Sequence, residues 1–522
     1  MRAIGSLVSP RGSRAPLVLG IFVLVVFLAY EAAEAILAND LTTLGALGAL
    51  AVGGVLLVTV LNDWRRGLYV LMAWMLFEDL LRKYLGNNMA IYFAKDLLAI
   101  VLFVSYFRDR RKQRSEKFQI PFKFALLMFF WFCLIQVFNP ASASIFYGIL
   151  GMKLNFLYVP LIFIGYAIAE SEENLHRLFS FVCVLILIVA GLGLAQSIIG
   201  PTFLNPQNLQ EDIRDLSTLY RTAPISGLLA YRPTSVFVSS GRFQDFLIVS
   251  WLISLGYSGY LILRSRRGRT LAFACVGLVA AASLMSASRG VLMWNAGNTL
   301  LFAAGFLWGA PWRQREAMRV VRAIQRTCLL IGTALIILLT AFPEALGSRV
   351  AIYSETLMPD SPASELVQRT RIYPIQQLEG AFTRPRWPYG YGMGTCSLGF
   401  QYVVRILHAR PMFVGVESGF GNLIVELGIL GLLLWLVLSC SMAVSAWKVV
   451  SGIRGSPWFP LALAIWLYLV VLFFPMMFTG SSPYQDFVFN SNLWLLLGIL
   501  FRLKSYPKAV ELAQAQAAAR QA

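Results

Sequence analysis

The chain has 522 residues, 58% of them hydrophobic and 13% charged, with 44 Lys and Arg against 26 Asp and Glu. Soluble proteins carry about 25% charged residues; here the apolar residues also run on in stretches of about 18 or more, which argues against a water-soluble globular fold. The net charge of +18 is not a nucleic-acid footprint, because the basic residues form short clusters between apolar runs, the positive-inside pattern of a membrane protein.

In chain order, Arg2, Arg11 and Arg14 precede an apolar run from Leu17 to Tyr30. That pattern fits a signal peptide or an uncleaved first helix, and the topology of the remaining chain requires the helix. Membrane segments are expected near 17–37, 44–61, 67–80, 90–107, 121–138, 154–169, 178–199, 244–263, 270–287, 290–309, 328–344, 419–443, 459–478 and 488–503. The fold class is therefore all-α: a polytopic integral membrane protein with about fourteen transmembrane helices.

Basic clusters at Arg65-Arg66, 108–117, 264–269, 313–326, Lys448/Arg454 and Arg502/Lys504 alternate with loops 38–43, 139–150 and 479–487, which have no Lys or Arg. This places both termini on the cytoplasmic side; the outward turn at 81–89, with Arg82 and Lys83, departs from the alternation. Two long loops, 200–243 and 345–418, fall on the outer side, and loops of such length are usually functional. Within the second, Ala363 to Phe382 has helical character that Pro374 must kink or break. The chain divides into N-terminal helices (1–120), a main membrane region carrying both long loops (121–505) and a cytoplasmic tail (506–522).

Charged groups at membrane depth are functional candidates because burying them is costly. Glu78, Asp79, Arg82, Lys83, Lys95 and Asp96 form a charge-balanced set, read either as an ion-pair network joining two helices or as the wall of a polar cavity. The outer loops are rich in arginine: Arg214, Arg221, Arg232 and Arg242 in the first, and Arg349, Arg369, Arg371, Arg384, Arg386, Arg405 and Arg410 in the second. Arg289 sits in a short turn, SASRG, which offers a rigid mount. Such arginines can meet anionic lipid heads or a phosphate-bearing substrate, for which the planar fork is suited. YGYGMG, with Gly390, Gly392 and Gly394, lacks the strand–turn–helix context of a nucleotide site and reads as a tight loop. Glu417 lies at the mouth of a long apolar helix; Glu426, nine residues on, faces the other way and suits a buried structural hydrogen bond. The six cysteines and two histidines show no metal-site spacing.

Four segments carry a likeness: RPTSVFVSSGRFQDF (232–246), SASRG, RIYPIQQLEGAF with PYGYGMGT, and ESGFGNLIVELGILGLLLW (417–435). In their order and topology they resemble the O-antigen ligase and Wzy-type O-antigen and exopolysaccharide polymerase superfamily over roughly 120–500. The resemblance implies a metal- and cofactor-independent glycosyltransferase of the bacterial inner membrane. Its substrate would be an undecaprenyl-pyrophosphate-linked glycan held on the periplasmic face. Its partners would be the bilayer and the chain-length regulator and flippase of the same pathway, with no nucleic acid. Where the ligases of that family carry His-Asn, this chain has Glu417-Ser418, a departure that favours a polymerase over a ligase transferring glycan to lipid A-core. Glu417 is then the expected catalytic base, and Arg289, Arg232, Arg242 and Arg371 the expected pyrophosphate ligands. A lipid-linked sugar transporter without chemistry is the alternative of a different class; it would show pseudo-repeats, which the chain lacks.

Overall fold

The computed structural model describes residues 53–85, 89–113, 118–206, 219–264, 267–309, 342–358, 364–412, 414–480 and 482–506, with isolated positions at 322–340 and 360–361. The expected segment at 17–37, half of 44–61, about half of 328–344, Arg214 and nearly all of the tail lie outside the described residues.

The described chain is mostly helical. Its principal helices are α1 (Trp64–Tyr84), α2 (Met89–Gln113), α3 (Lys123–Gln136), α4 (Ile145–Phe156), α5 (Leu161–Ile168) and α6 (Glu172–Ile199). There follow α7 (Ser240–Arg264), α8 (Arg269–Met285), α9 (Arg289–Gly309), α10 (Pro343–Leu357), α11 (Tyr373–Phe382), α12 (Phe400–Leu407), α13 (Gly419–Gly452), α14 (Phe459–Val471) and α15 (Phe487–Leu503). Six helical stretches are long and apolar enough to cross a membrane: Ile145–Ile168, Glu172–Ile199, Ser240–Arg264, Arg289–Gly309, Gly419–Gly452 and Phe459–Thr479. Outward faces are apolar too. Phe93, Leu97, Ile100, Val104 and Phe107 line one side of α2 at helical spacing and are 42–55% exposed, an arrangement suited to lipid rather than water.

Close packing comes from small residues where helices touch. A Cβ on Gly165 of α5 would stand 2.0 Å from the Leu495 carbonyl of α15, and one on Gly498 2.0 Å from that of Ile162. The helices thus meet backbone to backbone.

One sequence expectation is corrected. The stretch 139–150 is not simply a loop: α4 starts at Ile145, capped by the Ser144 side chain, and α4 and α5 form one 24-residue span interrupted before Pro160, which has no N–H to continue the ladder. Within the first long loop, Tyr220–Thr222 and Leu229–Tyr231 pair as an antiparallel hairpin, β1 and β2. In the second loop, Pro374 sits in the first turn of α11 and is preceded by a widened π turn, Gln368–Ile372, which spares the chain the clash and the missing donor.

α13 is broken at Gly428 (φ 73°, ψ −175°). Carbonyls freed near the break are taken up by the glycine loop: Tyr391 N–H donates to Val425 O at 2.8 Å and Gly392 N–H to Glu426 O at 2.9 Å. Gly394 has φ 83°, and a Cβ there would lie 1.8 Å from Tyr147 O. YGYGMG is thus a tight loop wedged between helices, as its context implied. The Glu426 carboxylate, buried, accepts from Cys396 N at 2.7 Å and Ser397 Oγ at 3.1 Å, a structural role.

Candidate functional site

Arg289 is the first residue of α9 and follows a constrained turn. Ala287 has φ 52°, a conformation costing a non-glycine residue about 1–2 kcal/mol. The turn is held by Ser286 Oγ donating to Ser283 O (2.7 Å) and by Ser288 Oγ donating to Gln244 Oε1 (2.8 Å). Tyr353 Oη donates to Leu284 O at 2.9 Å from α10. The guanidinium therefore projects from a fixed point, and the positive end of the α9 dipole lies beneath it.

Four arginines from three segments meet in one cavity of about 650 Å³: Arg221 from β1, Arg232 just after β2, Arg289 and Arg369. Two carboxylates, Glu365 and Glu417, line it with them. Glu365 bridges Arg289 (2.9 Å) and Arg369 (3.2 Å), whose hydrogen bonds, Arg289's first, hold its pKa below the ordinary carboxylate value. Burial and then the neighbouring Arg289 and Arg232 push Arg221 down to about 10, and burial and then Arg289 lower Arg232. Like charges so crowded favour an anion among them. Further along α9 the wall turns apolar, with Met293, Trp294 and Leu301 from α9, Val471 at the end of α14, and Pro475 and Phe478 from the residues that follow it. The α9 span is only 22% buried in the protein, so this trough runs along a helix otherwise left bare. Both π turns, Gln368–Ile372 and Leu472–Met476, contribute residues to the cavity, and such turns are frequent at functional sites.

Glu417 stands between this cavity and a smaller one of about 380 Å³ that includes Cys396, Met412 and Asn422. Its backbone is fixed on both sides: Val416 N–H donates to Asn422 Oδ1 and Glu417 N–H to Gln377 Oε1, each at 2.9 Å. Ser418 caps α13 by accepting from Gly421 N–H. The Glu417 carboxylate is exposed and accepts a hydrogen bond from the Tyr373 hydroxyl, which raises the tyrosine's pKa. Among the described residues no arginine pairs with Glu417; Arg410 instead contributes its carbonyl to Tyr147.

The other expected ligands lie elsewhere. Arg242 is paired with Asp79 (2.6 Å) and Asp486 (3.5 Å) and lines a neighbouring cavity. Arg371 is exposed on the π turn and lines neither cavity. Arg349 is 2% exposed and clasps the carbonyls of Met285 (2.8 Å), Ser197 (3.3 Å) and Tyr231 (3.1 Å), tying the hairpin to two helix ends. Sequence reasoning did not single out Arg221, Arg369, Glu365 or Tyr373. The last three had a signal, since 365, 369 and 373 share one helical face at i, i+4, i+8.

The charged set on α1 and α2 forms a network. Lys95 pairs with Glu78 (2.7 Å), Arg82 with Asp79 (2.9 Å), and Lys153 of α4 with Asp96 (2.5 Å). Lys83 donates to Thr234 Oγ1 (3.0 Å) and Ser235 O (2.7 Å). Arg82 and Lys83, the departure from charge alternation, are thus turned inward and buried. Among the described residues there is no cluster able to hold a metal ion. Comparison with protein-family models and with curated proteins finds no match for this chain.

Proposed function

We propose that the chain is an inner-membrane glycosyltransferase of about fourteen spans that polymerises undecaprenyl-pyrophosphate-linked repeat units on the periplasmic face. The observation that carries this reading is the convergence of Arg221, Arg232, Arg289 and Arg369 with Glu417 on one cavity that continues into an apolar trough. A polyprenyl pyrophosphate is anionic at one end and apolar along its tail, and the cavity has the same division.

In the proposed step an acceptor hydroxyl attacks the anomeric carbon of the donor. The new C–O bond forms as the bond to the pyrophosphate breaks, and undecaprenyl pyrophosphate leaves with the electron pair. The hydroxyl proton passes to the Glu417 carboxylate, and the arginines stabilise the charge growing on the leaving group. Tyr373 holds the carboxylate in position through its hydroxyl.

The test separates binding from turnover. Glu417→Gln keeps the shape of the side chain but cannot take the proton. The purified variant is expected to bind lipid-linked donor normally and to make polymer about 10²–10⁴-fold more slowly; Glu417→His restores part of the rate. Near-normal polymerisation by Glu417→Gln sinks Glu417 as the base.

A further inference from the structure

A second cavity, of about 550 Å³, lies beside the first, and Gln244, Gly290, Trp294 and Thr479 line both. Its electrostatics differ. In the first, four arginines face two carboxylates. In the second, Lys95, Lys153 and Arg242 are already matched by Glu78, Asp96, and Asp79 with Asp486, at 2.5–3.5 Å. A further anion would have to compete with these carboxylates, so the second cavity is not a second phosphate site.

Among the polar side chains of its wall, Asp245 and Gln244 are open to a ligand. Asp245, in the first turns of α7, lines the cavity and has no hydrogen bond or ion pair among the described residues, although Asp486 and Arg242 act on it electrostatically. Gln244, at the junction of the two cavities, accepts from Ser288 Oγ through Oε1, while its Nε2 is buried without a partner. Polar groups so placed reduce stability unless something hydrogen-bonds them. The remaining wall includes the rings of Tyr158, Trp294 and Phe487. Unsatisfied polar groups beside aromatic faces, with the cations neutralised, suit a ligand that is uncharged, rich in hydroxyl donors and flat on one side.

We propose that this second cavity is a saccharide subsite in which Asp245 and Gln244 hydrogen-bond the hydroxyls of a neutral glycan. The assignment deepens the glycosyltransferase reading, on which it rests for the glycan's role as acceptor: Gln244 and Trp294 stand where the two cavities join, so a sugar held here reaches toward the donor held by the arginines.

The experiment uses the full chain in nanodiscs, followed by native mass spectrometry and saturation-transfer NMR. One probe set is neutral oligosaccharides of hexose, N-acetylhexosamine and 6-deoxyhexose units; the other is inorganic pyrophosphate. Neutral oligosaccharides are expected to bind the wild type and to bind Asp245→Asn and Gln244→Leu about tenfold or more weakly, the effect of losing hydrogen bonds to charged or buried groups. Asp245→Asn keeps the thermal midpoint, since Asp245 has no hydrogen bond or ion pair among the described residues to lose; a purely structural aspartate would lower it. Arg289→Ala loses pyrophosphate and retains the saccharide. Absence of saccharide binding by the wild type, or unchanged binding by both variants, overturns the subsite. If Asp245→Asn does not fold, Gln244→Leu alone decides between these outcomes. Saccharide binding without pyrophosphate binding leaves the subsite standing and overturns the donor site instead.

Discussion

Arg289 is held at one point by a constrained turn, and its charge is shared with Glu365. Arg289→Lys keeps the charge but not the planar fork, so it is expected to lose most activity while inserting normally. Arg289→Ala should lower turnover by about 10²–10³-fold, the usual effect of removing one group aimed at developing charge. Wild-type polymer from Arg289→Ala, with normal insertion, would remove Arg289 from the site. Glu365 occupies the position an incoming anion would take, bridging Arg289 and Arg369. Glu365→Gln is expected to tighten pyrophosphate binding about two- to fivefold, because a partly exposed ion pair of ~0.4–1 kcal/mol no longer has to be broken; calorimetric titration reads this directly, and weaker binding would contradict it. The pH dependence has a definite sign. The folded-state pKa of Glu365 lies below its ordinary 4.5, so its contribution to stability is present above that pH and lost as pH falls through the lowered value.

Among the elements, the broken helix α13 and the glycine loop depend on one another. The loop supplies N–H donors to the carbonyls of Val425 and Glu426, and Gly394 rests against Tyr147 at the start of α4. Gly394→Ala adds about 1–2 kcal/mol for the left-handed backbone, and a Cβ 1.8 Å from a carbonyl forces the loop outward as well. Thermal unfolding in detergent should show a clear fall in midpoint, and an unchanged midpoint would show that the wedge is not needed. The tight loop was legible because three glycines alternate in six residues without strand or helix periodicity around them. The break at Gly428 was not legible, because a glycine within an otherwise unbroken apolar run also fits a continuous membrane helix. The start of α4 was missed for a related reason: no charged residue marks its first turn.

For the molecule as a whole, the proposed orientation places the loop at 345–418 outside the cytoplasmic membrane. Cysteine at Ser364, in a variant lacking the six native cysteines, should then react with a membrane-impermeant thiol reagent in intact spheroplasts. Labelling only after lysis would invert the topology and remove the external site with it.

Helical, membrane-suited character follows from the sequence alone, because apolar run length and the spacing of basic clusters are local properties of the chain. Arg289 could be singled out for the same reason, as a lone arginine in a short turn between two apolar runs. Tertiary structure decided which of the loop arginines share a cavity. Arg221, Arg232 and Arg369 join Arg289, whereas Arg349 is spent on backbone carbonyls and Arg242 on Asp79 and Asp486. These partners lie up to 244 residues away in the chain, as from Arg242 to Asp486. Whether a guanidinium is paired and buried or turned toward a cavity depends on contacts across such distances, and spacing along the sequence carries no record of them.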